Sequence, residues 1–343
     1  MIMSGLSLAI YWVGAYLIND AMNPEDKVGL FADMTVFTSY AMQVVSAFMM
    51  LVMIFIILPR AIVSARRINE VLSTNPKILN GTVTETAESD KGTIEFKNVS
   101  FKYPDASDYV LRDISFKAEK GKTIAFIGAT GSGKSTLINL IPRFYDATDG
   151  DVLVDGVNVK EYDIESLNNK LGYVPQKAVM FSGTVSSNVA YGNNGRDNYS
   201  ADDIKQAIKI AQGTEFVEKM ENQYEGAIAQ GGSNISGGQK QRLAIARAVC
   251  RKPEIYIFDD SFSALDYKTD RVLRSELKKE TAGTTTLIVA QRIGTIKDAD
   301  CIIVLDKGNM VGKGTHSELM KNCEVYQQIA LSQLSKEELG NDE

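Results

Sequence analysis

Histidine is nearly absent from this chain: His316 is the one histidine among 343 residues. A single imidazole excludes a histidine-based catalytic triad, a histidine-rich zinc site and a histidine general base anywhere else in the sequence. Cysteine is scarce as well, and the three thiols stand far apart without the spacing of metal ligands: Cys250, Cys301 and Cys323. We interpret them as buried thiols in a protein of a reducing compartment.

An excess of basic charge is also missing. The chain has 37 lysine and arginine residues against 43 aspartate and glutamate residues, which gives a formal net charge of −6 at pH 7. Because nucleic-acid binding needs a basic surface, nucleic acid is disfavoured as the main partner. A triphosphate needs only local positive charge. The hydrophobic content of 44% is ordinary for a chain with room for one large or two ordinary domains, so the distribution of apolar residues is more informative.

Two long apolar stretches stand near the N-terminus. Residues 1–18 contain no charged side chain and are just long enough to cross the hydrocarbon core of a bilayer. Residues 34–58 form a second candidate, with 41–58 as its apolar centre. A signal peptide is the competing interpretation of the first stretch, but no lysine or arginine precedes its apolar part. The sequence therefore predicts two membrane spans.

Charges around these stretches predict their orientation. The segment between them carries acidic residues and a single lysine, Lys27, whereas Arg60, Arg66 and Arg67 follow the second stretch. The positive-inside rule then places everything after Pro59 in the cytoplasm.

The chain beyond the spans is predicted to fold as a soluble domain. Residues 61–72 keep apolar side chains at helical spacing and should extend the second span into the cytoplasm, with Pro59 as a kink. Residues 73–91 contain Asn-Pro and Asn-Gly pairs and are interpreted as a linker. We predict a domain over residues 92–335 and a flexible acidic tail over 336–343.

Three regions are predicted inside this domain. Residues 93–101, 109–116 and a hairpin over 151–159, turned at Asp155-Gly156, indicate an antiparallel patch. Residues from about 184 to 251 show helical patterns and are interpreted as an inserted helical lobe. The remaining apolar runs alternate with helical patterns, as in a parallel sheet with crossover helices. Its strands are predicted at 123–127, 171–174, 254–258, 284–289 and 301–305.

A phosphate-binding loop is the strongest motif. The stretch Gly128-Ala129-Thr130-Gly131-Ser132-Gly133-Lys134-Ser135 matches the pattern G-x-x-x-x-G-K-[ST] and lies between an apolar strand and a helix that continues from Thr136. The glycines let backbone N–H groups approach a polyphosphate, Lys134 neutralises phosphate charge, and Ser135 offers a hydroxyl to Mg²⁺. A plain glycine-rich turn would not need Lys-Ser behind it. The motif therefore predicts binding of a nucleoside triphosphate with Mg²⁺.

A carboxylate is predicted beside this loop. Asp259 ends an apolar strand, a position from which it can hold the Mg²⁺ shell. Apolar strands that end in aspartate are common, so this assignment depends on the phosphate loop upstream in the same sheet.

A second glycine motif, Ile235-Ser236-Gly237-Gly238-Gln239, precedes a helix rich in lysine and arginine. The glycine pair bares backbone N–H groups at a helix start, and the serine adds a donor. A simple glycine-based cap is the alternative. Together with the phosphate loop, this stretch resembles the signature of ATP-binding cassette (ABC) transporter nucleotide-binding domains. The resemblance implies that the signature contacts the γ-phosphate of ATP held by a second domain.

Further positions resemble the same family. The resemblance implies that Tyr103 stacks on adenine, although a surface strand residue is the alternative reading of that position alone. It also implies that Gln176 senses Mg²⁺ and the γ-phosphate, and that Ser263-Ala264-Leu265-Asp266 communicates across a dimer. His316 matches a C-terminal segment of these domains, and we expect it to have a structural role.

With its two spans, the chain resembles the C-terminal part of an exporter-type half-transporter, namely the last two transmembrane helices plus the nucleotide-binding domain. Such half-transporters carry six spans, so residues 1–72 are expected to be a partial transmembrane domain. We expect a chain that is N-terminally incomplete or half of a split product. The implied fold class is transmembrane α-helices followed by an α/β P-loop NTPase domain with an antiparallel β patch and a helical subdomain.

Two positions depart from the family pattern. Asp260 stands where the family has a glutamate that polarises the attacking water, and Gln291 replaces a histidine that contacts the γ-phosphate. The shorter carboxylate is set back by one C–C bond, about 1.5 Å, and glutamine cannot carry the proton. A misplacement of about 1 Å can cost roughly 10²-fold in rate. Because of these two changes, we expect the ATP site, with the catalytic residues Asp260, Gln291 and Gln176, to bind ATP well and to hydrolyse it poorly.

The resemblance then narrows to the degenerate-site subunit of heterodimeric ABC exporters, which lends an intact signature to its partner's competent site. It implies an ABC-type ATPase that is active with a second half-transporter subunit and couples ATP binding and hydrolysis to efflux of an unidentified substrate. Such a subunit would span the lipid of the cytoplasmic membrane, with its nucleotide-binding domain in the cytoplasm. The alternative is a nucleotide-clamping regulatory or structural subunit without turnover. A soluble P-loop enzyme is disfavoured by the two spans.

Overall fold

The computed structural model describes residues 2–192 and 199–333, apart from the side chains of residues 2 and 267. It divides into two compact units, Met1–Lys77 and Ile78–Glu343. The predicted tail, 336–343, and residues 193–198 of the predicted helical lobe lie outside the described residues.

The first unit contains the helices α1 (Ile2–Asp20) and α2 (Pro24–Leu72). Helix α2 contains the second predicted span, 34–58, and begins ten residues before it, at Pro24, where the proline and the acidic residues of the first turn favour a helix start. The bounds of the span itself stay a prediction. The helix runs through Pro59 without a break in its assignment, so residues 61–72 extend it as predicted.

The membrane prediction is supported for one of the two helices. Among the described residues, α2 alone is long and apolar enough to cross a membrane, and none of its side chains is buried. Helix α1 covers the first predicted span, and its crossing of a membrane stays a prediction.

The second unit is an α/β domain. Its strands are β1 (Ile94–Phe101), β2 (Leu111–Ala118), β3 (Thr123–Gly128), β4 (Asp149–Val154), β5 (Val157–Asn158), β6 (Leu171–Val174), β7 (Gly183–Thr184), β8 (Ala227–Ile228), β9 (Ile255–Asp259), β10 (Thr285–Val289), β11 (Cys301–Asp306) and β12 (Asn309–Gly314). Its helices are α3 (Lys134–Asn139), α4 (Ile164–Asn169), α5 (Val185–Val189), α6 (Ala201–Ile210), α7 (Thr214–Glu218), α8 (Gly237–Cys250), α9 (Tyr267–Glu280), α10 (Ile293–Ile296), α11 (His316–Asn322) and α12 (Glu324–Gln333).

The predicted antiparallel patch is confirmed as a sheet with the strand order β2-β1-β4-β5. Its hairpin turns at Asp155 and Gly156, which have φ values of 51° and 76°. Two successive residues with positive φ are typical of the tight turns that match the twist of two antiparallel strands.

The larger sheet has the order β12-β11-β3-β10-β9-β6. Strands β11, β3, β10, β9 and β6 are parallel, as predicted, but β12 pairs antiparallel with β11 and makes the sheet mixed. The prediction missed this strand. A tight turn at Lys307-Gly308, with φ values of 46° and 82°, returns the chain at once, so no crossover helix is needed.

The helical lobe contains α5 to α8, but also the short antiparallel pair β7 and β8, which the helical prediction did not include. Cys250 and Cys323 are buried as expected, whereas Cys301 is only partly buried because it stands at the first position of β11.

A buried aromatic cluster joins the two main sheets. Phe96 stacks on Phe116 with ring centroids 4.6 Å apart, and Phe116 meets Phe126 of β3 edge-on at 5.4 Å. Leu137 and Ile138 of α3 belong to the same core. Burying each such phenylalanine contributes about 1.5–3 kcal/mol. This packing fixes the carboxyl end of β3, and with it the loop that follows, against the rest of the domain.

Candidate functional site

The phosphate loop lies between β3 and α3, as predicted. Gly133 has a φ of 98°, and a Cβ there would lie 2.7 Å from Cδ2 of Leu111. A Cβ on Gly128 would overlap the carbonyl oxygen of Leu305. Both glycines are therefore required by the fold itself, one by its left-handed backbone and one by the close approach of a neighbouring strand.

The loop closes around the ammonium group of Lys134. Its Nζ donates to the carbonyl oxygens of Gly128 and Ala129, each at 2.8 Å, and only 8% of the residue is exposed. Burial lowers the pKa of Lys134, and the carboxylates of Asp260 and Asp259 oppose that shift. A buried cation at the centre of a glycine loop attracts an anionic group.

A pair of hard oxygen atoms stands beside this cation. Ser135 Oγ donates to Oδ1 of Asp259 over 2.9 Å, and Asp259 ends the buried strand β9. Burial raises the pKa of Asp259, and the hydrogen bond from Ser135 opposes the shift. Mg²⁺ is commonly held by one or two protein oxygens together with substrate phosphates. The two residues predicted as ligands therefore fit such an ion. Gln176, the third residue predicted to contact the ion, donates to Asp260, and its role at Mg²⁺ stays a prediction.

The predicted catalytic residues meet at one carboxylate oxygen. Gln176 Nε2 donates to Oδ2 of Asp260 over 3.1 Å, and Gln291 Nε2 donates to the same atom over 2.6 Å. They follow the neighbouring parallel strands β6, β9 and β10, whose carboxyl ends lie at one edge of the sheet. Burial raises the pKa of Asp260, and the two amide hydrogen bonds oppose this. The φ of Asp260 is 46°, a strained value for a non-glycine residue that is typical of functional sites.

A cavity of about 300 Å³ connects the phosphate loop with these side chains. The predicted residues on its wall are Thr130, Gly131, Gly133, Lys134, Ser135, Thr136, Gln176, Asp260 and Gln291. Val110 and Val289 also line it and were not predicted. Val289 is recoverable from sequence as the last strand residue before Gln291. No local pattern marks Val110, whose carbonyl oxygen would lie 3.1 Å from a Cβ on Gly133.

Tyr103 stands beside the start of α3. Its hydroxyl shares a hydrogen bond of 3.1 Å with Thr136 Oγ1, and its ring makes edge contacts with Phe101 and Tyr145 at 5.0 and 5.2 Å. A position next to the phosphate loop is compatible with the predicted contact to a base.

The signature residues lie elsewhere in the same unit. Ser236 is the N-cap of α8 and forms a reciprocal capping box with Gln239, with Ser236 N donating to Oε1 of Gln239 over 2.8 Å. Ser236 and Gly237 are exposed. In the described part of the chain, no residue from Ser236 to Gln239 lines the phosphate-loop cavity. The predicted site residues therefore form two separate sets.

His316 has the structural setting that was expected. Its Nδ1 lies 2.7 Å from the hydroxyl of Tyr326, which joins the first turn of α11 to α12.

Comparison with known proteins agrees with this geometry. Residues 111–263, from β2 to just beyond Asp260, match the family model described as ABC transporter. The chain contains an ABC transporter domain. It is 43% identical over 335 residues to an uncharacterized ABC transporter ATP-binding protein of Mycobacterium bovis, covering 95% of this chain and 55% of that protein. It is 39% identical over 276 residues to an ATP-dependent lipid A-core flippase of Haemophilus influenzae, covering 80% of this chain and 46% of that protein.

A solved structure of a bacterial Atm1-family ABC exporter with ATP bound aligns with a TM-score of 0.82 at 29% identity. The alignment covers 97% of this chain and 59% of that one. The predicted fold class, helices followed by a P-loop NTPase domain of the ABC type, is thereby confirmed. The chain spans about half the length of the curated relatives it matches.

Proposed function

We propose that this chain is an ATP-binding subunit of a membrane ABC exporter that couples ATP binding and hydrolysis to substrate efflux. The observation that carries the proposal is the separation of the two site halves. Lys134 and Ser135, the proposed phosphate and Mg²⁺ contacts, line the phosphate-loop cavity, whereas Ser236 and Gly237 of the signature are exposed and do not line it. A second subunit, with its own phosphate loop, would complete both halves.

In the proposed role, this chain's residues hold ATP before any chemistry occurs. Lys134 would exchange its contacts with loop carbonyls for phosphate oxygens, and Ser135 with Asp259 would hold Mg²⁺. The ion would supply charge neutralisation of the β- and γ-phosphates. Tyr103 is placed to contact the base.

We further propose that the chain's own ATP site is degenerate. Asp260 is one methylene shorter than glutamate, and both amides, Gln176 and Gln291, donate to its Oδ2. An oxygen that already accepts two hydrogen bonds is poorly placed to accept a third from an attacking water, so the geometry of Asp260 and not its basicity is unfavourable. Gln291 can donate a hydrogen bond but cannot carry a charge, so it should stabilise the transition state less than a protonated histidine would. The partner in this proposal is a different half-transporter with a competent site.

The decisive experiment compares one variant beside the phosphate loop with one variant in the signature. The full chain is purified together with its copurifying partner subunit and reconstituted in lipid. Asp260→Asn should leave most ATP turnover, because little hydrolysis occurs at this site. Ser236→Arg should abolish turnover, because a bulky cation at the start of α8 blocks closure on the partner's γ-phosphate. Equal loss in both variants would show that Asp260 is a working base and would refute the degenerate site.

A gain-of-function pair gives the converse test. Asp260→Glu with Gln291→His should raise turnover by the chain's own site by about tenfold or more, since general acid–base groups that reach water and phosphate contribute about 10²–10⁴-fold. A Ser236→Arg background isolates this site from the partner's. Normal ATP affinity without turnover in every combination would favour the nucleotide-clamping subunit instead.

A further inference from the structure

The backbone around Gln291 is held by a side chain from helix α12. Gln333, the last residue of α12, makes two hydrogen bonds to it. Its Nε2 donates to the carbonyl oxygen of Gln291 over 2.7 Å, and its Oε1 accepts from the N–H of Ile293 over 2.9 Å. An amide side chain carries a donor and an acceptor on neighbouring atoms, so one glutamine can hold a carbonyl and an N–H that are two residues apart.

Packing of α12 fixes the position of this glutamine. Gln333 itself is exposed, but Tyr326 and Ala330 of the same helix are fully buried. Their spacing of four and three residues puts all three side chains on one face of the helix. Tyr326 and Ala330 belong to the same hydrophobic core as Ala290 and Ile293. The amide of Gln333 is therefore kept beside residues 291–293 by the core beneath it.

The first N–H of α10 depends on this contact. The first N–H groups of a helix have no partner within the helix. Arg292, the N-cap of α10, makes no capping hydrogen bond with its side chain in the described part of the chain. Gln333 supplies the acceptor for Ile293 from outside. Without Gln333, the turn from β10 into α10 would lose a hydrogen bond at each of two positions.

The residue held in this way reaches the phosphate-loop cavity. The side chain of Gln291 lines that cavity together with Lys134, and its Nε2 donates to Oδ2 of Asp260 over 2.6 Å. A shift of the backbone at Gln291 would move the amide that borders the cavity. Because hydrogen bonds weaken steeply with distance and angle, a small shift would weaken any contact of this amide with a bound nucleotide.

We propose that Gln333 is a positioning residue of the ATP site, which keeps the Gln291 amide where it can donate to the terminal phosphate of ATP. This role rests on the proposed function, because it requires ATP in the phosphate-loop cavity. The loop and Lys134 hold the inner phosphates of a nucleotide. The terminal phosphate is then the group nearest to the side chains across the cavity. Gln333 should therefore affect the binding of ATP and leave the binding of ADP unchanged.

Hydrogen exchange of the nucleotide-free full chain in lipid nanodiscs tests the contact itself. In Gln333→Ala, the amide of Ile293 should exchange about three- to tenfold faster than in the wild type, the factor that one hydrogen bond contributes. Gln328→Ala is the matched control, since Gln328 is a glutamine of the same helix whose amide donates to Glu324. It should leave the exchange of Ile293 unchanged. Unchanged exchange in Gln333→Ala would overturn the inference and leave the proposed function intact.

Calorimetry of the same chain with Mg²⁺ compares ADP with the non-hydrolysable β,γ-imido analogue of ATP. Gln333→Ala should weaken binding of the analogue by about three- to tenfold and change the affinity for ADP by less than about twofold. Gln328→Ala should change neither affinity. In a Gln291→Ala background, Gln333→Ala should have no further effect, because Gln333 acts through the side chain of Gln291.

The nucleotide measurements separate a positioning role from a structural one. Equal losses for ADP and the analogue would mean that α12 supports the whole domain, and a loss that persists beside Gln291→Ala would mean that Gln333 does not act through Gln291. Either result would overturn the inference while the phosphate-loop assignment stands. A wild-type chain that binds neither nucleotide would refute the proposed function, and the role of Gln333 with it.

Discussion

The phosphate loop and the signature both place glycines before a helix, yet the two helix starts are completed in opposite ways. At α3, Gly133 is left-handed and no side chain caps the helix, and Gly133, Lys134 and Ser135 line a cavity. At α8, Ser236 and Gln239 satisfy each other in a capping box on an exposed surface. The first borders a cavity, whereas the second is capped by its own side chains where Ser236 and Gly237 are exposed.

Glycines in a motif therefore indicate that the backbone can adopt unusual dihedral angles. They do not indicate whether the space around the glycine is filled or open. Around Gly133, β2 approaches so closely that only hydrogen fits, whereas around Gly237 a Cβ would meet no atom within 4 Å. The same residue type therefore indicates a close approach of two chain segments in one place and open space in the other.

The largest expected difference between the starts of α3 and α8 is in how much an alanine there lowers the free energy of unfolding. Gly133→Ala should destabilise the full chain by about 2–5 kcal/mol, since the strain of a left-handed alanine adds to the overlap with Leu111. Gly237→Ala should change stability by less than about 1 kcal/mol, because its Cβ enters open space at the first helical position. Thermal and denaturant unfolding of the purified chain measure both. Similar losses in the two variants would remove the distinction between a packed and an open helix start.

The next effect concerns the affinity for ATP. Lys134→Ala should weaken ATP binding to the full chain by about 1–3 kcal/mol, the range for a lost charged hydrogen bond. Lys240→Ala, near the start of α8, is the matched control and should leave that affinity within about twofold of the wild type, because Lys240 does not line the cavity. Calorimetry with ATP and Mg²⁺ gives both values. Unchanged affinity in Lys134→Ala would contradict the assignment of the phosphate loop.

The smallest expected effect is the loss of stability when the N-cap of α8 is changed. Ser236→Ala removes one half of the capping box and should cost about 0.5–2 kcal/mol of stability. Ser236→Asn, which keeps a capping side chain, should cost only a few tenths. Neither variant should alter ATP affinity at the chain's own loop. A loss of that affinity would mean that the start of α8 affects the phosphate loop of the same chain, which would contradict the separation of the two sets of site residues.

Most of the secondary structure could be predicted because local patterns are strong. Strand β6 was predicted at its observed bounds, and the phosphate loop was predicted between its strand and its helix from the spacing of glycine, lysine and serine. The prediction failed where local signals are weak. Strand β12 was missed because glycines interrupt its alternation.

The sequence by itself determined that the chain has a triphosphate loop, a signature and two unusual residues, Asp260 and Gln291, because each depends on residue type at fixed local spacing. Only the tertiary structure decided that Gln176 and Gln291 share one oxygen of Asp260, since that contact depends on the order β10-β9-β6. Strand order is a long-range property of the sheet. No spacing along the chain encodes which strand ends will be neighbours.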